Sequence, residues 1–529
     1  MAWRAVVVAC CIARGHAESE FQSRLRQMLS EVVSEAKQSL KLDVAMQIGW
    51  YSPSESFTVV AGSINKVGGG TRVVQADDTF LYGSGTKPFT ASGVMRLVDQ
   101  GRLKMNDFAH EHIDPYLRAQ NGTTMTELFG PQAVNITVLD LIRMSAGIPD
   151  FEAGSRDSDV LEDGDQVWPV YSNIRFAANY QKAFGGKCQQ ASDCDCGKLP
   201  FMTRALCNPV QHHCTKAGPY IGCIGKKNGY RLPDGEFCFH GVRLGFCRTK
   251  KPSEPLVCSP GNCTFYSSAS YELAGLLIAA VGTPNKEYTA MDLGTYALPE
   301  RSRYPTLKFV PVTSTERMSV DSMKISDHLT TPGTSVGIFG GGKTIIYDQN
   351  PTILGWTCGH MVGAAGDVAK FFYDLMYPDA ANPIVSNASR AEMSRTKPLS
   401  MGWGGSFEYG AGLMAVPISH NKSYQPSKPD QWGFYLGHAG LTYGFSSNQG
   451  YIQPAKAGFS INSNTDSPAF SGFATCKLVE IAAELIGGQK IGLNCSTQMG
   501  PFLTQSATRD RLVAMQTNFE SMRTTSLIV

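Results

Sequence analysis

In Phe80-Leu-Tyr-Gly83-Ser84-Gly-Thr-Lys87-Pro-Phe-Thr-Ala91, a serine stands three residues ahead of a lysine where a helix should begin. That spacing puts both side chains on one helix face, and a helix N-terminus favours negative charge developing on the serine oxygen. A serine becomes a nucleophile only beside a base. Lysine can serve once burial lowers its pKa from about 10.4. Gly83 and Gly85 allow backbone and substrate to approach closely. Pro88 sits in the first turn, where few intrahelical donors are lost, but it disfavours helical angles at Lys87, so a distorted helix start is predicted. The chemistry on offer is acyl transfer through a covalent serine intermediate.

Spacing alone does not select this pair, because Ser34/Lys37, Ser63/Lys66, Ser394/Lys397 and Ser419/Lys422 repeat it. Ser34 falls on an amphipathic helix, and Ser394-Arg-Thr-Lys397-Pro398 lacks the flanking glycines. Two later segments tip the choice. Cys263-Thr-Phe-Tyr266-Ser267-Ser268 precedes a helical stretch, so the Tyr266 hydroxyl can point into a cleft at that helix's start. Tyr435-Leu-Gly437-His438-Ala439-Gly440-Leu-Thr-Tyr-Gly-Phe445 is a glycine-spaced strand in which His438 is the one histidine followed by x-Gly. Taken singly, either residue would read as an ordinary satisfied core side chain.

In this order the segments resemble the β-lactamase/penicillin-binding-protein-like serine hydrolases, in particular the class C β-lactamase and esterase branch. That family's marks are S-x-x-K, Y-x-N and K-T-G or H-x-G. Residues 136–148, Gly366-Asp367 at a helix start, Tyr409-Gly-Ala-Gly412 and Gly444-Phe445-Ser446 also look like the family. The likeness runs from Glu18 to about Gly488, without the cysteine-rich stretch. It implies Ser84 as the acylated nucleophile, Lys87 as its general base and Tyr266 as the proton shuttle to the leaving group. His438 would be the cleft-wall residue polarising that network. The backbone N–H groups of Ser84 and Leu441 would form the oxyanion hole, with Gly440 and Ser268 on the substrate-binding side. Ser268 is a departure, since the family usually has Asn there, and a hydroxyl replaces an amide that both donates and accepts. The implied substrates are small esters or amides, D-amino-acid peptides or lactams. The reading from another class is a non-catalytic binding protein that keeps the cleft as a ligand pocket and meets a partner through its basic cysteine-rich module.

Other motifs fail on mechanism. Residues 337–344 satisfy G-x-x-x-x-G-K-[ST], but the β-like residues that follow do not supply the helix a phosphate loop needs. His110-Glu-His112 is not H-E-x-x-H and would not converge on one zinc. No metal or cofactor is expected.

The elements that must position these groups are readable by periodicity. Phe21, Leu25, Leu29, Val32, Val33, Ala36 and Leu40 mark an amphipathic helix. Residues 44–50 and 57–61 read as strands, 88–100 as a helix, 137–144 as a helix-like segment, and 268–281 and 366–376 as helices. Residues 437–452 and 457–462 read as sheet, and 472–486 as a covering helix. The predicted class is α+β: an antiparallel sheet built from both chain ends, flanked by helices, with a helical subdomain and a disulfide-rich insert.

Length and charge agree with this class. The 529 residues carry 47 Lys and Arg against 45 Asp and Glu, a net +2. That balance argues against a nucleic-acid binder, which needs a basic face to neutralise phosphates. Residues 1–17 read as a secretory signal peptide, with an apolar run too short to span a bilayer. No later stretch reads as a membrane span. Of fifteen cysteines, ten lie between Cys188 and Cys263, which predicts a disulfide-stapled module in an oxidising compartment. Cys476 and Cys495 are expected to bridge, leaving Cys358 as the odd thiol. Six sequons, at Asn121, Asn135, Asn262, Asn387, Asn421 and Asn494, accord with a glycosylated, secreted protein. The expected organisation is the signal, a catalytic domain over 18–500 interrupted by the insert at 185–263, and a tail over 501–529. Residues 182–251 hold twelve Lys and Arg against four acidic residues. That is read first as a solvated basic surface and second as a site for an acidic partner.

Overall fold

The amphipathic repeat from Phe21 onward forms helix α1, Glu20–Leu40, in the computed structural model. It starts at Ser19, whose hydroxyl accepts from the Gln22 N–H, and ends at Lys41 in the left-handed region. The structure describes residues 18–65, 70–152, 171–184, 255–309, 355–399, 407–418 and 431–495, with the backbone of short strands between 194–249 and 333–346. The signal segment, most of the cysteine-rich insert, the lysines of the Ser63/Lys66 and Ser419/Lys422 pairs, Asn421 and the 501–529 tail lie outside the described residues.

Nine strands make the central sheet: β1 (Ala45–Tyr51), β2 (Ser56–Asn65), β3 (Thr71–Val73), β4 (Lys397–Pro398), β5 (Glu408–Tyr409), β6 (Met414–Pro417), β7 (Phe434–Thr442), β8 (Phe445–Ile452) and β9 (Ala457–Ser463). Their order is β4-β5-β6-β7-β8-β9-β1-β2-β3, antiparallel at every junction. The join between the chain ends is β1 against β9, with Ile48 opposite Ile461 and Trp50 opposite Phe459. Residues buried on one face alternate with those on the other, which fixes this register.

Helices α2 (Lys87–Asp99), α3 (Ser268–Gly282), α4 (Ala365–Met376) and α5 (Pro468–Leu485) complete the frame. α1 and α5 cover one sheet face, packing Leu25, Leu29 and Val479 with Ile48, Val59 and Ile461. A larger core on the other side combines Phe89 and Val94 of α2, Leu273 and Leu277 of α3, and Phe371 and Phe372 of α4. From Leu273 onward α3 is apolar on every face and buried as far as Ala279, and it forms the axis of the helical part.

Cys476 and Cys495 are bridged as expected, with Cα atoms 5.5 Å apart. Cys258 and Cys263 form a second bridge, and Cys358, the odd thiol, is buried. The chain after the phosphate-loop-like residues enters a strand, Thr344–Ile346, paired with Gly333–Ser335. Among the described residues no helix is long and apolar enough to cross a membrane.

Candidate active site

Ser84 does not lie on the α-helix proper. Residues Gly83–Thr86 form a 3₁₀ turn that feeds directly into α2. Three residues per turn eclipse positions i and i+3, so Ser84 lies directly in line with Lys87. The expected distortion falls in this turn. Lys87 itself keeps helical angles (φ −56°, ψ −41°) despite Pro88.

Lys87 is fully buried, and its ammonium has three hydrogens and three acceptors. It donates to Ser84 Oγ at 2.8 Å, to Ser268 Oγ at 3.0 Å and to the Cys358 carbonyl at 3.3 Å. The serine in place of the family's asparagine therefore still meets the lysine. Tyr266 donates its phenolic hydrogen to Ser84 Oγ at 2.8 Å, so two donors converge on one half-buried serine oxygen. The Lys87 nitrogen also sits 5.0 Å from the Tyr266 ring centre.

Chain segments far apart hold these groups. Val257 donates to the Gly147 carbonyl, Gly261 to Ser145 and Phe265 to Met144. Residues 257–265 are thus laced along 144–147, and Tyr266 emerges from that lacing just before α3. Ser267 caps α3 by accepting from the Ser270 N–H.

The strand beside Ser84 is β7. β6 pairs with it only as far as Gly437, which frees the edge from His438 onward to face the Ser84 turn. A Cβ on Gly83, whose φ is +50°, would lie 2.5 Å from the Leu441 carbonyl oxygen and 3.3 Å from its nitrogen. A Cβ on Gly440 would lie 1.9 Å from the Tyr82 carbonyl oxygen. Only glycines let the two backbones come this close, and the approach sets the backbone of Leu441 beside that of Gly83 and Ser84.

His438 is brought to the site but turned aside. Its ring centre is 6.1 Å from that of Tyr266. One ring nitrogen, Nδ1, lies 2.5 Å from the Ala439 carbonyl and the other, Nε2, 3.1 Å from the Tyr409 hydroxyl. A carbonyl only accepts, so Nδ1 carries the hydrogen and Nε2 accepts from Tyr409. Burial, with the Lys87 charge adding to it, lowers its pKa to about 3. It is a neutral wall, and its nitrogens do not reach for the serine.

Burial alone would push the Lys87 ammonium down. Tyr266, Cys358 and Glu152 around it carry it above its ordinary value. Burial in turn pushes the Tyr266 phenol up to about 12 and the Cys358 thiol well above its usual range. Both are protonated near neutral pH, so neither opposes burial there as an anion.

Sequence reasoning missed two acids. The Ser268 N–H donates to Asp150 Oδ1 at 3.1 Å, and the Ser268 hydroxyl to Glu152 Oε1 at 2.5 Å. It also missed Tyr409 as the partner of His438. The two competing serine–lysine pairs that lie within the described residues carry no such network. Ser34 and Lys37 are exposed on α1, Ser394 Oγ donates to the Arg390 carbonyl, and Lys397 is exposed on an edge strand.

A family model described as Beta-lactamase matches residues 58–182. Among solved structures, a D-stereospecific amidohydrolase from Streptomyces sp. is 18% identical with a TM-score of 0.52, covering 88% of this chain and 98% of that one. The D-amino acid amidase from Ochrobactrum anthropi SV3 with D-phenylalanine is 16% identical with a TM-score of 0.54, over 89% and 99%. An octameric penicillin-binding protein homologue from Pyrococcus abyssi is 17% identical with a TM-score of 0.53, over 91% and 79%. No curated protein matches significantly. The chain carries the β-lactamase/transpeptidase-like fold.

Proposed function

We propose that the protein is a serine hydrolase that cleaves small amides and esters through an acyl-enzyme on Ser84. The observation that carries this reading is the convergence of the Lys87 ammonium and the Tyr266 phenol on one serine oxygen, with the Leu441 backbone close beside the Ser84 turn. In the free protein Lys87 is protonated, so it must first shed a proton to become a base. Ser84 Oγ then attacks the carbonyl carbon while its proton passes to the Lys87 amine. The oxyanion rests on the N–H groups of Ser84 and Leu441. Tyr266 gives its proton to the departing nitrogen or oxygen and regains one from Lys87. Water completes the cycle by the same relay and frees the acid.

Amides are the first substrates to try, because two of the structural neighbours are named a D-stereospecific amidohydrolase and a D-amino acid amidase. D-peptides and lactams extend the same panel. We read the protein as secreted, supported by residues 1–17, the cysteine density and the sequons. The acidic-partner reading of the basic insert stands as a further proposal. Turnover of D- and L-phenylalanine amides and a p-nitrophenyl ester, in the wild type and in Ser84→Ala, tests the assignment. Hydrolysis lost with Ser84 is expected. Hydrolysis that survives in the variant rejects Ser84, and a folded protein that turns over none of the panel favours a binding protein.

A further inference from the structure

The substitution of serine for the family's asparagine leaves a shorter side chain between Lys87 and the cleft mouth, and a carboxylate occupies the far side. The order of contacts is Ser84 Oγ, Lys87 Nζ, Ser268 Oγ, Glu152 Oε1, at 2.8, 3.0 and 2.5 Å. Lys87 and Ser268 are fully buried, whereas Glu152 is exposed. Among the described residues Glu152 has no ion-pair partner, and the donor to its side chain is the Ser268 hydroxyl. Behind it lies Asp150, 3% exposed, whose Oδ1 accepts from the backbone N–H groups of Ser268 and Glu152. Its Oδ2 is buried without a hydrogen-bond partner. Burial, with the Glu152 charge adding to it, raises the Asp150 pKa to about 8. Of the two carboxyl groups, Glu152 is the one an incoming molecule can reach.

Distance supplies the rest of the argument. The three contacts end to end cap the separation of Ser84 Oγ and Glu152 Oε1 at about 8 Å. In an α-aminoacyl group the nitrogen lies about 2.5 Å from the carbonyl carbon. A near-attack carbonyl carbon stands about 3–3.5 Å from the nucleophile, and an ammonium–carboxylate contact spans about 2.8 Å. End to end these lengths reach about 8.3–8.8 Å, enough to bridge that separation. A cation at Glu152 would also favour the neutral amine of Lys87, the form that can take the Ser84 proton.

We propose that Glu152 is a specificity residue that receives a primary ammonium group on the acyl portion of the substrate, adjacent to the carbonyl attacked by Ser84. This rests on the reading of Ser84 as nucleophile, and it narrows the substrates to amino-acyl amides and esters with a free amino group.

The test compares phenylalanine p-nitroanilide, in D and L forms, with 3-phenylpropionyl p-nitroanilide, which differs by the amino group alone. The quantity is the ratio of kcat/KM for the amino substrate to that for its des-amino analogue, measured at pH 7 in wild type, Glu152→Gln and Glu152→Asp. A wild-type ratio of at least about tenfold for one enantiomer is expected, because a site built to bind an N–H group rejects the analogue lacking it. It should fall toward one in Glu152→Gln and hold an intermediate value in Glu152→Asp. A ratio that is the same in wild type and Glu152→Gln overturns the proposal, as does a wild type without preference. Fluorophosphonate labelling separates the two levels. Labelled Ser84 with an unchanged ratio removes the ammonium site alone, and no labelling of folded wild type removes the nucleophile and this proposal with it.

Discussion

Tyr266 gives its phenolic hydrogen to Ser84 Oγ over 2.8 Å, although 182 residues separate them along the chain. The hydroxyl of Tyr266 meets Ser84, while its ring is buried against Tyr409 and His438. Tyr266→Phe keeps that packing and removes the proton. It should lower kcat for amide substrates by about 10²–10⁴-fold, with the melting temperature close to that of the wild type. Esters with low-pKa leaving groups should lose less. Equal losses for both substrate types would show that Tyr266 does not serve the leaving group.

Lys87 is the second donor on that oxygen and is fully enclosed. Lys87→Ala should slow acylation by about 10²–10⁴-fold, measured as the pre-steady-state burst with a p-nitrophenyl ester. Because the Lys87 ammonium is held above its ordinary pKa, wild-type kcat/KM should climb with pH through the alkaline range. A burst of unchanged rate in the variant would reassign the base.

His438 contributes to stability in a pH-dependent way. Its pKa is lowered to about 3 in the folded protein, against about 6.5 when unfolded. The unfolded chain therefore takes up the proton first, and stability is lost as pH falls below about 6.5. One such histidine costs about 2 kcal/mol between pH 7 and pH 5. His360, lowered to about 4 by burial, moves the same way, and Asp150 the opposite way. The comparison is thus wild type against His438→Gln in urea unfolding at both pH values. The variant should lose less on acidification, and an identical loss would contradict the neutral wall.

Gly440 bears the approach of β7 to the Ser84 turn. In Gly440→Ala the new Cβ would meet the Tyr82 carbonyl oxygen at 1.9 Å, so one backbone must retreat. Moving the Leu441 N–H away from the oxyanion should reduce kcat by about 10²–10³-fold. Wild-type activity in this variant would place the oxyanion hole elsewhere.

Much of the frame was legible from apolar patterning. The repeat from Phe21 to Ala36 has the helical period, the apolar stretches around Ile48 and Ile461 read as strands although both of their faces are buried, and both chain ends were expected to share the sheet. Ser84 and Lys87 stood out through their glycine flanks, and Tyr266 and His438 through their order. Asp150 and Glu152 did not, since they follow Gly147-Ile148-Pro149 in an irregular segment with no periodicity. Glu152 gains its meaning only from a serine 116 residues away. The tautomer and partner of His438 were equally hidden, because Tyr409 reaches it through strand pairing on the other side of β6.

The central claim is a covalent bond to one oxygen. Acid-quenched intact mass and peptide mapping during turnover of a p-nitrophenyl ester measure it directly. The account predicts one acyl group per chain, on the peptide that contains Ser84, absent from Ser84→Ala and accumulating with the burst. Turnover with no adduct on that peptide, or with the acyl group on another residue, would contradict it.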